Sequence, residues 1–543
     1  MDLHSPIAKT AARVRAAIPE RVDVAIVGAG PGGLMAGALL ARKGLKVALF
    51  DQHYVAGGCA TMFERGRSDA RWRFDVGLHY IGDCGPDGKI PGLLRQAGVA
   101  LEYAELDPDG FDTIVLPGLR FRIPADHEKY RRRLHEYFPK EKKGIDRYVQ
   151  LLLEIDRATR QLDRTGGKMG FGMALSTLLH GRLLIRYQNA TIGQVLDDCT
   201  QDPVLRAVLL GQSGDYGVPP SQASAFLHCG LANHYFHGAY YPKGGGQAIA
   251  DALADAIETA GGSVHLRCGI AQIVVEDGKA VGVLTEPVHG VAHRVAAKLV
   301  LSNADLKATL LQLVGPAHLP EGWVQKADTM QMGGALFLSC FGLEGTPGQN
   351  SLSATNYWQF DDYDAERFYR DAATGALPRG CYVTSGTAKD PTTPGHAPPG
   401  MTGVEVMALS AGKPEAWGIS PQALWDGSYR KNATYLSKKQ AVEDDLLRRL
   451  DTLCPGAAGR VVFKESATPL THTRFTRATD GTGYGLAATP GQFMRNRPGY
   501  RGPLAGLYFC GASTRAGHGV LGALLSGEQS AKRILADLAA APQ

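Results

Sequence analysis

The feature that most constrains the fold of this 543-residue chain is a glycine cluster near its beginning, in VDVAIVGAGPGGLMAGALLARKGLKVALFD. The apolar run from Val22 to Val27 is typical of a strand buried on both faces of a parallel sheet. The glycines that follow have GxGxxG spacing, which suits a tight turn into a helix whose first amides face an anion. They are Gly28, Gly30, Gly32 and Gly33. The segment therefore predicts half of a dinucleotide-binding fold, with the pyrophosphate at the turn.

A second strand in the same segment adds a carboxylate to this prediction. The strand runs from Lys46 to Phe50 and ends in Asp51, roughly twenty residues after the first glycine. A carboxylate at this position accepts hydrogen bonds from the ribose hydroxyls, which favours an unphosphorylated adenosine ribose as in FAD or NAD. The motif by itself does not distinguish these two cofactors.

The residues after Asp51 favour FAD through a family resemblance. The chain continues QHYVAGGCATMF and then RFDVGLHYIGD, with a second glycine pair at Gly57 and Gly58. This pattern resembles the extended FAD signature of the phytoene desaturase and amine oxidase superfamily. Within that superfamily, GGC and FDVGLHYIG resemble the retinol saturase branch. The resemblance implies one FAD, with contacts from Gly57, Gly58 and Cys59.

Two relatives of this scaffold remain as alternatives. Amine oxidases usually carry an arginine after the glycine pair, and this chain has Cys59 there, which removes a cationic contact to the cofactor. Guanine-nucleotide dissociation inhibitors resemble the fold, bind prenyl groups and have no flavin, so a non-catalytic prenyl-lipid carrier is the other alternative. The intact glycines at both ends of the chain favour a flavoprotein.

A middle block adds further strands to the nucleotide sheet. It begins with a triple glycine, continues as a helix with apolar residues at Ile249, Leu253 and Ile257, and ends in a hairpin at Asp277 and Gly278. A buried strand, KLVLSNAD, follows. The resemblance implies that Val275 lies beside the adenine ring.

The last block, AGLYFCGASTRAGHGVLGALLSGEQSAKRIL, repeats the strand, glycine loop and helix pattern. Too few residues remain after Gly527 to complete a second nucleotide fold, so we expect one FAD held from both ends of the chain. The resemblance implies that Gly511 approaches the ribityl and phosphate region and that a helix opening at Gly519, Val520 and Leu521 points its amino end at the flavin. A helix amino end stabilises the negative charge of reduced flavin.

These blocks predict an α/β fold of amine-oxidase-like architecture, in which a Rossmann-type FAD-binding domain is interleaved with an α+β substrate domain of mixed sheet and helices. The substrate cavity is expected between that sheet and the flavin. The predicted segments are a tail (1–20), FAD-binding parts (21–84, 241–308 and 463–543) and substrate-domain parts (85–240, with membrane association left open, and 309–462).

The resemblance implies an FAD-dependent oxidoreductase that saturates, desaturates or isomerises carbon–carbon double bonds of a long apolar isoprenoid, carotenoid or retinoid-like substrate. Flavin supplies hydride transfer at N5, so the protein must position the substrate and manage one proton. The candidate proton-transfer residues are His79 and Tyr80, which follow the family's flavin-proximal glycine, and His472. No second glycine fingerprint for a nicotinamide is complete, so we expect an external electron donor or acceptor such as a quinone, oxygen or a reductase.

Composition excludes some other functions. A formal charge of +5 over this length argues against a nucleic-acid-binding protein. Nine scattered cysteines without a CxxC pair favour a reducing compartment, the cytoplasm, and no metal site is predicted. The histidines His228, His234 and His237 are expected to line a pocket or the core, since no cysteine or carboxylate converges on them in sequence.

Peripheral membrane contact is left open by two segments, and no apolar run is long enough to cross a bilayer. The first, 129–143, is rich in Lys and Arg with interleaved aromatic residues, and a solvated helix face paired with Glu136 and Glu141 is the favoured alternative to lipid docking. The second, 171–187, is apolar with two arginines and suits a tunnel wall, a leaflet contact or a core helix equally well.

Overall fold

A computed structural model describes residues 12–14, 16–67, 70–164 and 180–540 of the chain. Its strands are β1 (Arg21–Val27), β2 (Val47–Phe50), β3 (Met62–Arg67), β4 (Ala70–Asp75), β5 (Ile81–Gly82), β6 (Tyr103–Glu105), β7 (Asp112–Leu116), β8 (Leu119–Ile123), β9 (Ala239–Pro242), β10 (Ser263–His265), β11 (Ile270–Glu276), β12 (Lys279–Thr285), β13 (Arg294–Ser302), β14 (Ala335–Glu344), β15 (Asn356–Phe360), β16 (Gly380–Thr384), β17 (Met401–Ser410), β18 (Val461–Ala467) and β19 (Leu507–Phe509).

The α-helices lie mainly between these strands. They are α1 (Pro31–Ala41), α2 (Lys89–Gln96), α3 (His127–Tyr137), α4 (Lys142–Arg164), α5 (Arg182–Tyr187), α6 (Ile192–Cys199), α7 (Pro203–Leu209), α8 (Ala225–Phe236), α9 (Gln247–Thr259), α10 (Leu306–Ala308), α11 (Glu321–Thr329), α12 (Ala365–Ala373), α13 (Gly386–Lys389), α14 (Pro421–Asp426), α15 (Ala433–Leu453), α16 (Pro469–Thr476) and α17 (Gly519–Ala540).

The first sheet brings together strands from three distant parts of the chain. Its order is β10-β2-β1-β13-β12-β11, and β19 pairs with β13. Strands β10, β2, β1, β13 and β19 are parallel neighbours, whereas β12 and β11 are antiparallel additions. Helices α9 and α17 pack on α1 against this sheet. The carboxyl ends of these five parallel strands therefore meet at one edge.

The second sheet has seven strands in the order β18-β14-β17-β16-β15-β7-β8 and is mixed, since β15 and β7 are parallel while its other pairs are antiparallel. Its apolar core includes Phe337, Phe341 and Val406, which are fully buried. Helices α4 and α8 contact each other within a second apolar cluster that also contains residues of this sheet. The α/β class and the mixed, helix-covered second sheet are confirmed; the boundaries of the six segments stay a prediction.

Local sequence signals account for several of these elements. Asp277 and Gly278, at φ 48° and 73°, connect β11 and β12 as the tight turn that was predicted. Ile249, Leu253 and Ile257 are fully buried along one face of α9. Two short helices, α6 and α7, follow Thr191, and Asp202 caps the second by accepting from the amides of Val204 and Leu205 at 2.9 and 3.1 Å.

Candidate active site

Four parallel strands end side by side at the glycine cluster. Gly28 follows β1, Asp51 follows β2, Asn303 follows β13, and Gly511 comes two residues after β19. These four residues come from the three sequence blocks that were expected to share one nucleotide: Gly28 and Asp51 from the first, Asn303 from the middle one and Gly511 from the last. In an open α/β sheet, ligands bind outside the carboxyl ends of the strands. The topology therefore creates one site from both ends of the chain.

The start of α1 is shaped for close approach by an anion. Gly30 occupies the N-cap position, Pro31 is the first helical residue, and no described side chain caps the helix. A Cβ at Gly33 would lie 2.3 Å from the carbonyl oxygen of Gly28, so the helix packs on the turn only with glycine there. The first turn therefore presents backbone amides rather than side chains, as a diphosphate requires.

The Asp51 carboxylate is held at the end of β2 by backbone donors. One oxygen accepts from the amide of Ala29 at 2.6 Å, and the other accepts from the amide of His53 at 2.8 Å. Burial raises the pKa of Asp51, and these two hydrogen bonds oppose that rise. Each oxygen keeps lone-pair capacity for a further donor. The carboxylate and the glycine turn together fit the ribose and diphosphate of FAD.

Asn303 is a part of this site that sequence reasoning missed. Its side-chain Oδ1 accepts from the amide of Gly33 at 3.0 Å, and the thiol of Cys510 lies 3.5 Å from the same oxygen. A Cβ at Gly30 would lie 2.7 Å from Asn303 Nδ2. Asn303 therefore links the ends of β13 and β19 to the turn after β1. The only sequence signal was its position directly after a buried strand.

A cavity of about 790 Å³ adjoins the glycine cluster and lies between the two large sheets. Most of the predicted site residues line it: Gly28, Gly30, Asp51, Gly58, Cys59, His79, Tyr80, His472, Gly511, Gly519, Val520 and Leu521. Gly32, Gly33 and Gly57 do not line it and instead allow close packing: a Cβ at Gly32 would lie 2.9 Å from the amide nitrogen of Gly511, and one at Gly57 would lie 2.9 Å from the side chain of Ala250.

Val275 is the predicted cofactor residue that the geometry does not support. It does not line the cavity, and it packs against an apolar cluster that also contains Ile270. Gly269 and Ile270, at the beginning of β11, line the cavity. The pairing register of β11 with β12 shifts twice, after Ile270 and after Val274. The place of a residue along β11 therefore cannot be found by counting back from the turn that joins the two strands. Ile270 is the better candidate for the adenine contact.

The part of the cavity away from the glycine cluster is largely apolar. Strands of the second sheet contribute Leu336, Leu338, Cys340, Trp358, Phe360, Tyr382, Met407 and Leu409. Helices α4 and α8 contribute Ile155, Phe226, Leu227, Leu231 and Tyr235. Such a lining suits a long hydrocarbon substrate, which needs an apolar wall and few polar anchors.

Five histidines line the cavity, and burial lowers the pKa of each. The pKa falls to about 3 for His79, His234 and His518 and to about 4 for His472. His53 also has a lowered pKa, again chiefly because of burial. These rings are therefore neutral near pH 7. The two histidines predicted as proton donors, His79 and His472, lack the proton that an imidazolium would deliver.

The surroundings of these two predicted histidines differ. Neither ring nitrogen of His79 forms a hydrogen bond of normal geometry within the described chain, although the backbone of Val76 interacts weakly with the ring. His472 donates from Nε2 to the carbonyl oxygen of Thr482 at 3.2 Å and lies 3.9 Å from the Cys59 thiol. Burial raises the pKa of that thiol to about 11, so Cys59 is not a thiolate. His472 and Cys59 are neutral neighbours beside the cavity.

A buried charged cluster lies behind His79. Asp75, His79 and Glu405 place potential ligand atoms within 4.8 Å of one another, which is the geometry of a metal site. The chain supplies a cation there itself: the Lys389 ammonium donates to the backbone carbonyl of His79 and to Thr384 Oγ1 at 2.5 Å. Burial lowers the pKa of Lys389 to about 8 and raises that of Glu405 to about 8. We assign no metal to this cluster.

Tyr80 connects the cavity to a pair of acids. Its hydroxyl lies 2.7 Å from Asp215 Oδ2 and 3.0 Å from Asp112 Oδ2. Its ring stacks on that of Tyr235, with centroids 4.3 Å apart. Tyr80, Tyr235 and Asp215 line the cavity, whereas Asp112 is fully buried behind them. The two aspartates lie more than 100 residues apart in sequence, so spacing gave no signal of this pair.

The three histidines before the middle block do not converge on one point. His228 is hydrogen-bonded to the hydroxyls of Tyr148 and Tyr216, at 2.8 and 3.1 Å. His234 Nε2 accepts from the amide of Gly82 at 2.8 Å, and His237 Nε2 lies 2.8 Å from an Asp156 carboxylate oxygen. Each ring thus has its own partner: His234 lines the cavity and His228 is buried, whereas His237 is half-buried outside the cavity and pairs with a carboxylate.

The basic segment forms α3 and the start of α4. Tyr130, Leu134 and Phe138 are buried, so these side chains are not available to a lipid surface. The charges pair differently from the prediction: Arg131 with Glu128, and Arg133 with Asp109. Glu136 and Glu141 do not pair with these arginines, and Glu141 accepts from Thr200. Of the second segment, 171–187, residues 171–179 lie outside the described residues. No described helix has both the length and the apolar character needed to span a bilayer.

Comparisons with known proteins agree with this geometry. A model of the family described as flavin-containing amine oxidoreductase matches residues 31–535. The zebrafish (Danio rerio) all-trans-retinol 13,14-reductase is 31% identical over 86% of this chain and 78% of its own length. A chloroplastic prolycopene isomerase from an Oncidium hybrid cultivar is 26% identical over 96% and 84%. The structure of cyclohexylamine oxidase from Brevibacterium oxydans superposes with a TM-score of 0.58 at 15% identity, covering 95% of this chain and 99% of that one.

Proposed function

Because the chain belongs to the flavin-containing amine oxidoreductase family, we propose that it is an FAD-dependent enzyme that acts on a carbon–carbon double bond of a long apolar isoprenoid. The relatives named for retinol reduction and prolycopene isomerisation support this substrate class. The observation that carries the proposal is the cavity of about 790 Å³, whose apolar walls adjoin the glycine cluster. Saturation, desaturation and isomerisation of such a bond remain within the proposal.

The residues proposed to hold FAD are those at the carboxyl edge of the first sheet. Backbone amides at the start of α1 receive the diphosphate, and Asp51 receives the adenosine ribose hydroxyls. Ile270 lies at the mouth of the adenine region, and Gly511 leaves room for the ribityl chain. The amino end of α17, at Gly519 and Val520, faces the flavin ring, where its partial positive charge favours the reduced form.

Bound FAD supplies hydride transfer at N5. The chain's own contribution is to fix the substrate bond in a nearly water-free compartment and to move one proton. The aromatic side chains of Trp358 and Tyr382 provide flat apolar walls for a polyene, and Tyr80 and Tyr235 form a stacked pair beside them. Of the predicted catalytic residues, Tyr80 is the better candidate for moving the proton, because His79 and His472 are neutral.

An amine oxidase is the second candidate, because the solved structure of cyclohexylamine oxidase shares the fold. That likeness, at 15% identity, extends to the fold alone. Glu465, a cavity-lining acid that could bind an ammonium group, is paired with Arg65 at 2.6 Å. Asp51, at the end of β2, is the residue proposed to bind the adenosine ribose of the cofactor. The cavity therefore favours a hydrocarbon over an amine.

The test is a side-by-side substrate comparison with purified protein. The holoenzyme should be yellow, and after reduction by dithionite it should convert all-trans-retinol or prolycopene to a product that differs by two hydrogens or in double-bond geometry, as read by chromatography and mass spectrometry. Oxidised enzyme with cyclohexylamine should release no hydrogen peroxide. Peroxide release with the amine and no change in either polyene would overturn the proposal. Colourless protein that binds no added FAD would instead support a lipid carrier.

A further inference from the structure

The histidines predicted as proton donors are neutral, so the acid that protonates a substrate carbon must be sought elsewhere on the cavity wall. Besides Asp215, the acids on that wall are Asp51, Asp305 and Glu465. Each is engaged: Asp51 by two backbone amides, Asp305 by the amide and hydroxyl of Thr479, and Glu465 by Arg65. These donors stabilise carboxylates, which cannot deliver a proton.

Asp215 lies in different surroundings. It lies within a short helical turn, Ser213–Asp215, and lines the cavity beside the stacked rings of Tyr80 and Tyr235. Its carboxyl group meets the Tyr80 hydroxyl at 2.7 Å. The same hydroxyl reaches Asp112, so two carboxyl groups share one phenol.

Burial raises the pKa of Asp112, and four hydrogen-bond donors oppose that rise. Its carboxylate accepts from Asn356 at 2.8 Å, Gln212 at 2.7 Å and Trp358 at 3.1 Å, in addition to the Tyr80 hydroxyl. Among the described residues, the hydrogen-bond partners of the Asp215 carboxyl group are two phenols, those of Tyr80 and Tyr235. Two neighbouring carboxylates in a site of low polarity do not both ionise, and the one with more donors takes the charge. The proton therefore resides on Asp215.

The other titratable neighbours do not compete for this proton. They are the phenols of Tyr216, Tyr369, Tyr382 and Tyr484 and the imidazole of His518. Burial raises the pKa of each phenol, so all four stay neutral. Burial lowers the pKa of His518 to about 3, so this ring is neutral as well. Burial and the Asp112 charge raise the pKa of Asp215 to about 8.

We propose that Asp215 is the proton donor to the substrate, and that Tyr80 and Asp112 are positioning residues that keep its carboxyl group protonated and oriented. This assignment rests on the proposed function. In saturation, one carbon of the double bond receives a hydride equivalent from the reduced cofactor, and the other forms its new C–H bond with the proton of Asp215. The π bond is lost, the cofactor is oxidised by two electrons, and Asp215 remains as a carboxylate. The hydroxyls of Tyr80 and Tyr235 then donate to this carboxylate until water returns the proton.

The first experiment follows a single turnover of all-trans-retinol by dithionite-reduced holoenzyme in D2O. Dithionite supplies only electrons, so the hydrogens delivered to both carbons come from D2O, and wild-type enzyme should place two solvent deuteriums on the product. Asp215→Asn should slow saturation by roughly 100-fold or more, the range expected for loss of a general acid. Its flavin absorbance and its affinity for retinol should change less than about threefold, because Asn retains the shape of Asp. Asp277→Asn, the same substitution in an exposed turn, is the control and should keep the wild-type rate.

If Asp215→Asn folds poorly, a second variant and a second measurement still test the assignment. Wild-type activity should fall as the pH rises through about 8, where Asp215 loses its proton. Asp112→Asn removes the neighbouring charge, so the pKa of Asp215 should fall and this loss of activity should move to lower pH. Independently of turnover, the infrared difference spectrum between wild-type and Asp215→Asn holoenzyme should contain the carbonyl band of a protonated carboxylic acid that titrates near the same pH.

The outcomes separate this assignment from the proposed function. Wild-type enzyme that changes no polyene overturns both. An active wild type whose Asp215→Asn variant keeps its rate, or whose Asp112→Asn variant keeps the wild-type pH profile, overturns the assignment alone. Isomerisation without solvent deuterium, or absence of the titrating carbonyl band, also overturns the assignment alone.

Discussion

At the scale of single residues, Asn303 meets two requirements that usually conflict at an anion-binding site. The start of α1 must leave its amides free for a diphosphate, but the turn before it must be rigid. Asn303 accepts from the amide of Gly33 at 3.0 Å and carries no charge. It therefore stabilises the turn without repelling the ligand. An aspartate would make the same hydrogen bond and add a negative charge.

This argument predicts the behaviour of two variants of Asn303. Asn303→Asp should raise the dissociation constant for FAD about tenfold or more at low ionic strength, since like charges a few ångströms apart repel by about 1 to 4 kcal/mol near a protein surface. Asn303→Ala should weaken binding through loss of the hydrogen bond, without an added charge. Titration of flavin-free protein with FAD at low and high salt measures both.

The salt dependence of FAD binding distinguishes an effect of the added charge from an effect of the lost hydrogen bond. High salt should recover part of the loss in Asn303→Asp, because ions screen exposed charges, and should have no such effect on Asn303→Ala relative to wild type. Equal losses in the two variants at every salt concentration would show that repulsion of a diphosphate is not involved.

At the scale of secondary-structure elements, helix α17 is placed by the strand before it. Strand β19 pairs with β13 in parallel, and a glycine-rich loop leads back to the cavity, where the helix begins at Gly519. Apart from its chain neighbours and its own helix backbone, no described residue has an atom within 4 Å of the position that a Cβ would take at Gly519. Open space in front of a helix amino end is where a planar ring with developing negative charge gains most from the helix dipole.

Substitution at the second residue of this helix tests that role. Val520 lines the cavity, and Val520→Glu would place a negative charge at the amino end of α17. The midpoint potential of the bound flavin should fall, because the reduced, anionic form loses stabilisation. Val520→Gln adds nearly the same side-chain volume without charge and serves as the control. Potentials measured by dye-coupled reduction should differ between Glu and Gln; identical potentials would place the flavin ring away from this helix.

The elements also show which parts of the site a sequence can predict. The strand, turn, helix and Asp51 lie within about thirty consecutive residues, so their joint geometry follows from local spacing. The adenine contact at Val275 was taken from the family resemblance and stays a prediction, because the two register shifts in β11 leave no local signal that distinguishes Val275 from Ile270. Asn303, Asp112 and Asp215 meet the site only through pairing of distant strands and packing of helices. Contacts of that kind depend on the three-dimensional fold and have no fixed spacing.

At the scale of the whole molecule, the buried histidines and the buried carboxyl groups change the stability of the fold in opposite directions as the pH passes through neutrality. Five buried histidines have folded-state pKa values of about 3 or 4: His79, His228, His234, His472 and His518. A histidine with a lowered pKa contributes stability that is present above its unfolded value near 6.5 and is lost as the pH falls. Asp215 and Glu405 have raised pKa values of about 8, so their contribution is lost as the pH rises toward 8. Stability should therefore peak at about pH 6.5 to 7.

Glu405 allows the alkaline side of this profile to be tested without touching the residues proposed for catalysis. Glu405→Gln cannot ionise, so between about pH 4.5 and 8 the variant should escape the loss of stability that the buried carboxyl group imposes on the wild type. The melting temperature of Glu405→Gln relative to wild type should rise steadily across this range, as measured by scanning calorimetry at fixed ionic strength. Glu344→Gln, at the exposed end of β14, is the matched control and should follow the wild type. The same difference in melting temperature at pH 5 and pH 8 would mean that Glu405 is ionised in the folded protein beside Lys389, and the alkaline fall would then have to come from Asp215.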